Sequence, residues 1–309
     1  MKTKILSVIG IAIFAYIVSK VGINNIIDSL IHLNLETLII ITILLALYFV
    51  LTTLKWKSIL KIQNINLDFF TALKIYLIGN FYGFITPGTV GSLIRAKYIK
   101  DITKQDSLVS CTSSIIIERI LDFMIIVLLA IPGILLVTKE FTNISINLVI
   151  IISVLMLIGA VVIMKKPHPK IRELLYKFTP KKYREFLQQA FHNFYDSIPK
   201  RRKMIIPLIL TVSTWLLLYT EIFILAKSLS MNVPYFKFIT FTSIATLISL
   251  IPITISGLGT REATWIILFK PFGVTAAQII ALTLINLFIG SVIPSIVGFF
   301  LSISYKEKK

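Results

Sequence analysis

The sequence predicts an all-α polytopic membrane protein built as a single membrane domain over 1–309. Three observations point there. Apolar residues make up 56% of the 309 positions, and the mean hydropathy is +0.90, more apolar surface than a soluble domain of this size can hide. Apolar segments recur nearly end to end, each close to the roughly 20 residues a helix needs to cross a bilayer. Finally, two of these runs are interrupted in the same way. Pro87, Gly88, Gly91 and Arg95 break the first, and Pro252, Gly257, Gly259 and Arg261 break the second. Bilayers tolerate broken backbone and arginine only where they line a cavity or pack inside protein, so a paired break points to a site between two repeats.

Eight apolar segments stand out: 5–21, 37–54, 69–86, 108–137, 146–164, 204–227, 238–255 and 275–303. Their arrangement follows from charge. The formal net charge is +18. Lys2 and Lys4 precede the first segment, which has no small-residue cleavage site and reads as an uncleaved span. The stretch 165–203 holds twelve Lys/Arg against three Asp/Glu, and the tail ends Lys306-Glu307-Lys308-Lys309. Placing these basic stretches on the cytoplasmic side, with Lys55, Lys57 and Lys61 in a cytoplasmic loop, requires 69–95 and 238–270 to dip in and return. The expectation is therefore about six full spans plus two re-entrant hairpins in an inverted repeat. Repeat one covers about 37–137 and repeat two about 204–303, and both termini are cytoplasmic in the cell membrane. Between the repeats, Leu174, Leu175, Phe178, Phe186, Leu187, Phe191 and Phe194 recur at helical spacing among basic residues. They describe either a basic amphipathic cytoplasmic linker on the inner leaflet or a plain solvated one.

The candidate substrate-binding residues are those of the two breaks: Pro87, Gly91 and Arg95, and Pro252, Gly257 and Arg261. Proline removes a donor and glycine permits a tight turn. A helix restarting near Gly91 or Gly257 presents free N–H groups and a positive dipole end, and an arginine in the next turn adds a forked donor suited to phosphate. The alternative is that both arginines sit at the interface and fix topology. Asn80 joins the set on one hairpin arm, with Lys74, Tyr76 and Tyr82 nearby.

A second set is intramembrane charge. Glu118 and Asp122 share a face of span 108–137, and Arg119 is three residues before Asp122, which permits an intrahelical pair. Such groups either couple a proton to transport, complete a headgroup site, or form a plain ion pair near the interface. Glu221 is the one charge within the apolar core of 204–227, and Glu262 follows Arg261. Glu221 is a proton carrier if buried; the alternative is an outer-interface position near Lys227. No cofactor is expected. The single cysteine, Cys111, and the scattered His32, His168 and His192 offer no ligand-spaced metal set. No nucleophile elbow, Walker loop or dinucleotide fingerprint is present. The basic residues flank spans and fit anionic lipid rather than nucleic acid.

The order Asn80-Phe81-Tyr82, Pro87-Gly88-x-x-Gly91, Arg95-Ala96, Glu118-Arg119-x-x-Asp122, Gly257-x-Gly259-x-Arg261-Glu262 resembles the lysylphosphatidylglycerol synthase transmembrane family, also described as flippase-like, from about residue 5 to 303. The resemblance implies lipid translocation without the aminoacyl-transferase domain of the family's two-part bacterial enzymes. One departure stands out. The family commonly carries Gly-Glu where this chain has Gly91-Ser92, which favours an anionic phosphate or sugar-phosphate lipid over an aminoacyl lipid. The expected function is a transporter moving a phosphate-bearing lipid, not an enzyme. A secondary transporter of a small soluble anion and a membrane glycosyltransferase are the alternatives. Expected partners are membrane lipids with anionic headgroups, a second copy of the chain, or enzymes of lipid modification and cell-envelope glycosylation.

Overall fold

The computed structural model describes residues 34–103, 108–140, 201–250 and 259–304. The expected spans 5–21 and 146–164 and the linker 165–203 lie outside the described residues, as do Pro252 and Gly257.

Every regular element among the described residues is a helix. Helix α1 (Leu35–Ile62) starts where Asn34 Oδ1 accepts from Thr37 N–H at 2.8 Å. It is followed by α2 (Phe69–Phe84), capped by Asp68, whose Oδ2 accepts from Thr71 N–H at 2.9 Å. These are ordinary N-caps satisfying an orphan donor. The Thr71 hydroxyl and N–H also hold the Asp68 carboxyl below its usual range. A 3₁₀ segment (Pro87–Ile94) joins α2 to α3 (Arg95–Thr103). Then come α4 (Leu108–Glu140), α5 (Ile205–Ser228), α6 (Tyr235–Ser249), α7 (Thr260–Phe269) and α8 (Ala276–Leu287). A π turn (Phe288–Val292) leads into α9 (Ile293–Ser304). Pro294 removes a donor just beyond that wide turn, a common setting for a π-bulge in a helix.

Among the described residues, four helical stretches are long and apolar enough to cross a membrane: Leu35–Ile62, Cys111–Val137, Arg202–Ser228 and Ala276–Ser304. Their outward faces are apolar, with Ile39, Ile43, Leu47, Leu128, Leu135, Ile209, Phe300 and Ile303 all exposed. Such surface is stable in hydrocarbon and unfavourable in water. By contrast, α2 and α6 have only 16 and 15 residues. At 1.5 Å per residue they reach about 24 and 22 Å, short of the roughly 30 Å hydrocarbon core.

The elements recur at one spacing. Ile62 and Ser228 end α1 and α5, and Phe69 and Tyr235 begin α2 and α6. Asn64 and Ser230 each take φ of 61° in the connecting turn, and Arg95 and Arg261 follow the two breaks. Every pair is 166 residues apart. The turns after α1 and α5 are also closed identically: Ile65 N–H donates to Leu60 C=O, and Met231 N–H to Ala226 C=O, both at matching positions.

The largest helix faces pair α1 with α5, α4 with α6, and α2 with α9. Two glycines permit the latter two contacts. A Cβ on Gly133 of α4 would lie 2.9 Å from the Thr240 carbonyl oxygen of α6, and one on Gly298 of α9 would collide with the Leu77 carbonyl of α2. Met204, at the start of α5, packs on the cluster of Ile59, Ile117 and Leu121. The start of α5 thus lies beside the end of α1, and these two helices run antiparallel.

Lys55 corrects the sequence expectation. Hydropathy ends the span before it and assigns Lys55 to a loop. In the structure α1 continues to Ile62 and Lys55 is buried, because two carboxylates from α4 meet its charge.

Candidate functional site

Five charged side chains from α1, α3 and α4 meet inside the first half of the molecule. Lys55 Nζ lies 2.7 Å from Asp122 Oδ1 and 3.4 Å from Glu118 Oε1. Arg95 Nη2 lies 2.8 Å from Glu118 Oε2, and both of these side chains are 2% exposed. Trp215 of α5 adds an indole donor to Asp122 Oδ1 at 3.0 Å. Glu118 and Asp122 reach Lys55 together because i and i+4 lie on one helix face.

Aromatic rings hold Arg95 in place. Its guanidinium carbon stands 4.7 Å from the Trp56 ring centroid and 4.8 Å from that of Tyr76, within the range of cation–π attraction. Trp56 is fixed in turn by its indole N–H, which donates to Ser114 Oγ at 3.3 Å. The aliphatic stem of Arg95 crosses α2 at Gly79, where a Cβ would lie 2.5 Å from Arg95 Cγ and 2.7 Å from Cδ. Arg95 Nη1 is buried without a hydrogen-bond acceptor.

The fifth charge behaves differently. Arg119 is exposed. Its Nη2 donates to Ser92 Oγ at 3.1 Å, a neutral acceptor, and no carboxylate lies within ion-pair distance among the described residues. The expected Arg119–Asp122 pair is therefore not formed, since Asp122 turns to Lys55 and Trp215. Three cations face two carboxylates, leaving one positive charge in surplus at the exposed guanidinium.

The second break builds a smaller site. Glu262 is fully buried on α7. Its Oε2 accepts from Gly259 N–H at 2.5 Å, and its Oε1 accepts from Thr283 Oγ1 at 3.2 Å and pairs with Arg261 Nη2 at 3.1 Å. Gly259 adopts φ of 89°, a conformation that favours glycine. Glu262 at the third position of α7 supplies half of a capping box; glycine has no side chain to return the bond. The Arg261 side chain is 19% exposed, and its guanidinium carbon stands 5.1 Å from the Trp265 ring centroid.

The breaks differ from the free N–H cradle expected of them. The α-helices restart at Arg95 and Thr260, later than Gly91 and Gly257, with 3₁₀ turns occupying Pro87–Ile94. Gly91 N–H already donates to Thr86 Oγ1 at 2.8 Å, and a Cβ there would collide with the Tyr82 carbonyl. Gly91 thus serves tight backbone packing and Gly259 a turn of positive φ. Arg95 and Arg261 engage different carboxylates. Asn80 is half-buried on α2 beside Gly79, and Glu221 is buried on α5 away from both clusters' ion pairs.

Sequence reasoning missed Lys55, Trp56 and Trp215 as parts of the site; Tyr76, expected on the hairpin arm, holds Arg95 by its ring. The readable signal for Lys55 was electrostatic: two carboxylates four residues apart in an apolar helix require a cation from elsewhere.

Comparison with known proteins agrees with this build. The chain aligns with a UPF0104 membrane protein of Methanocaldococcus jannaschii at 26% identity, covering 99% of this chain and 96% of that protein. A UPF0104 membrane protein of Pyrococcus horikoshii is 22% identical over 96% of each chain. One of Methanothermobacter thermautotrophicus is 23% identical over 99% of this chain and 94% of its own. Residues 5–298 match the lysylphosphatidylglycerol synthase transmembrane region, the stretch that holds both arginine breaks and the charged cluster. With nearly the whole chain matched, this membrane protein belongs to the lysylphosphatidylglycerol synthase transmembrane family.

Proposed function

We propose that this protein translocates a phosphate-bearing lipid, a phospholipid or a polyprenyl-phosphate sugar, across the cell membrane. The observation that carries the reading is the surplus cation: Arg119 is exposed, donates among the described residues only to a hydroxyl, and sits on a cluster whose other charges are already paired. An exposed arginine with no carboxylate within ion-pair distance among the described residues offers bidentate donors to a phosphate. Arg261, whose side chain is 19% exposed beside the buried Glu262, supplies a second contact from the other half. Family membership supports a lipid-related role.

The constant 166-residue spacing and the antiparallel packing of α1 and α5 support an inverted repeat with its axis in the membrane plane. In this reading α2 and α6, each too short to span, are the first arms of re-entrant hairpins, and both chain termini face the cytoplasm. The headgroup passes between the hairpins while the acyl or polyprenyl tails stay in the bilayer. Access alternates as one repeat rocks against the other. Arg95 is a positioning residue: Glu118 and the two rings hold it, and it holds α3 against α4.

The test uses purified protein in vesicles with fluorescent phosphatidylglycerol or a fluorescent polyprenyl-phosphate sugar, followed by loss of signal to a membrane-impermeant quencher. Arg119→Gln removes one charge-assisted contact and is expected to slow translocation roughly tenfold or more. Ser92→Glu, which gives Arg119 a carboxylate, is expected to slow it too. Wild-type rates in both variants would sink the phosphate role of Arg119. Uptake of a soluble anion by wild type, with no lipid movement, would move the protein to the small-anion class.

A further inference from the structure

Glu221 is the buried carboxylate that the ion-pair clusters leave out. It is 2% exposed on α5, and its Oε2 has no hydrogen-bond partner. Among the described residues, every other buried carboxylate has a cation: Glu118 has Arg95 and Lys55, and Glu262 has Arg261.

Its place in the fold is specific. Glu221 stands seven residues before the end of α5, as Lys55 stands seven before the end of α1, and the two are 166 residues apart. The backbone position that presents a lysine to the charged cluster in one half presents a carboxyl in the other. The elements packed against α5 are α1, α4, α6 and α8. On α1, Lys55 is held by Glu118 and Asp122, and Tyr48 lies beside that cluster. Lys57 and Lys61 lie toward the end of α1, opposite the end of α5 that carries Glu221, and Glu36 is acidic. On α4, Glu118 and Asp122 are acidic and Arg119 turns to Ser92. On α6, Lys237 stacks on Phe272 at 5.1 Å and Tyr235 bonds Thr220. Helix α8 carries no charged group. On α5 itself, Tyr219 bonds Thr246, and Lys227 bonds Asn232. None of these is paired with Glu221. An ionised carboxylate in such surroundings costs several kcal/mol, and a proton is the compensating charge closest to hand.

We propose that Glu221 is a proton-binding site coupled to transport. It holds a proton in the arrangement seen here, takes it from water at one membrane face, and releases it to water at the other as α5 shifts against α1. The coupling part of this inference rests on the lipid-transport reading; the proton site itself does not.

Two measurements on the full chain test it. Infrared difference spectra of the purified protein between acid and alkaline buffer report the carbonyl band of a protonated carboxylic acid. The expected result is a band present in wild type, lost in Glu221→Gln and retained in Glu221→Asp, with circular dichroism showing equal helix content in all three. An unchanged band in Glu221→Gln overturns the site. In vesicles carrying a pH gradient, wild type is expected to bias the leaflet distribution of fluorescent phosphatidylglycerol about tenfold per pH unit if one proton moves per lipid. Glu221→Gln is expected to give the same distribution with and without the gradient. A bias that survives in Glu221→Gln overturns the coupling. If wild type moves no lipid at all, the lipid-transport reading and the coupling fall together, and the infrared result alone decides the proton site.

Discussion

Lys55 sits at the centre of the charged cluster, and its burial is stable only because Glu118 and Asp122 both reach it. Burying one charge without the other is expensive, while a fully matched set is close to neutral. Lys55→Met should therefore destabilise the protein by about 3–5 kcal/mol, read as a lower thermal midpoint in detergent. Adding Asp122→Asn should recover part of the loss, since it removes one of the two stranded carboxylates. A double variant as unstable as the sum of the singles would show that the pair is not coupled. At this scale the sequence was partly legible. Glu118, Arg119, Asp122, Arg261 and Glu262 stood out as charges in apolar runs, while the Arg261–Glu262 pair emerged only in the structure. The partner of Asp122 could not, because Lys55 lies 67 residues away and hydropathy alone placed it outside the span.

Among the elements, the packing of α4 on α6 and of α2 on α9 depends on close backbone approach. Helices in lipid gain no hydrophobic driving force from meeting each other, so small residues that allow close van der Waals contact decide such interfaces. Gly133→Leu and Gly298→Leu should each force a pair of helices apart and lower the thermal midpoint. Exposed control substitutions such as Ile209→Leu should leave it unchanged. If the glycine variants melt with wild type, these contacts do not hold the halves together. The breaks were legible as breaks, since Pro87, Gly91 and Gly259 announce them. Where the helices restart was not, because side-chain acceptors, Thr86 Oγ1 for Gly91 and the Glu262 carboxylate for Gly259, close the turns after the glycines.

For the whole molecule, Lys61 and Lys227 give a test of orientation. Both are exposed near the ends of α1 and α5 and stand 166 residues apart. An inverted repeat puts such counterparts on opposite membrane faces, whereas a parallel repeat puts them on the same face. In a Cys111→Ser background, Lys61→Cys and Lys227→Cys should react with an impermeant thiol reagent from opposite sides of intact cells or spheroplasts. Labelling of both from one side would rule out the inversion. The sequence by itself determined that this chain is a helical membrane protein with two similar breaks, because apolar length and the punctuation of proline and glycine are local properties. Only the tertiary structure decided which charges meet. It set Lys55 between two carboxylates, Arg95 between two rings, Arg119 toward a neutral hydroxyl and Glu221 without a cation among the described residues. Those outcomes depend on how helices distant in sequence pack, and in a medium of low polarity the distance to the nearest counter-charge governs what each ionisable group can do.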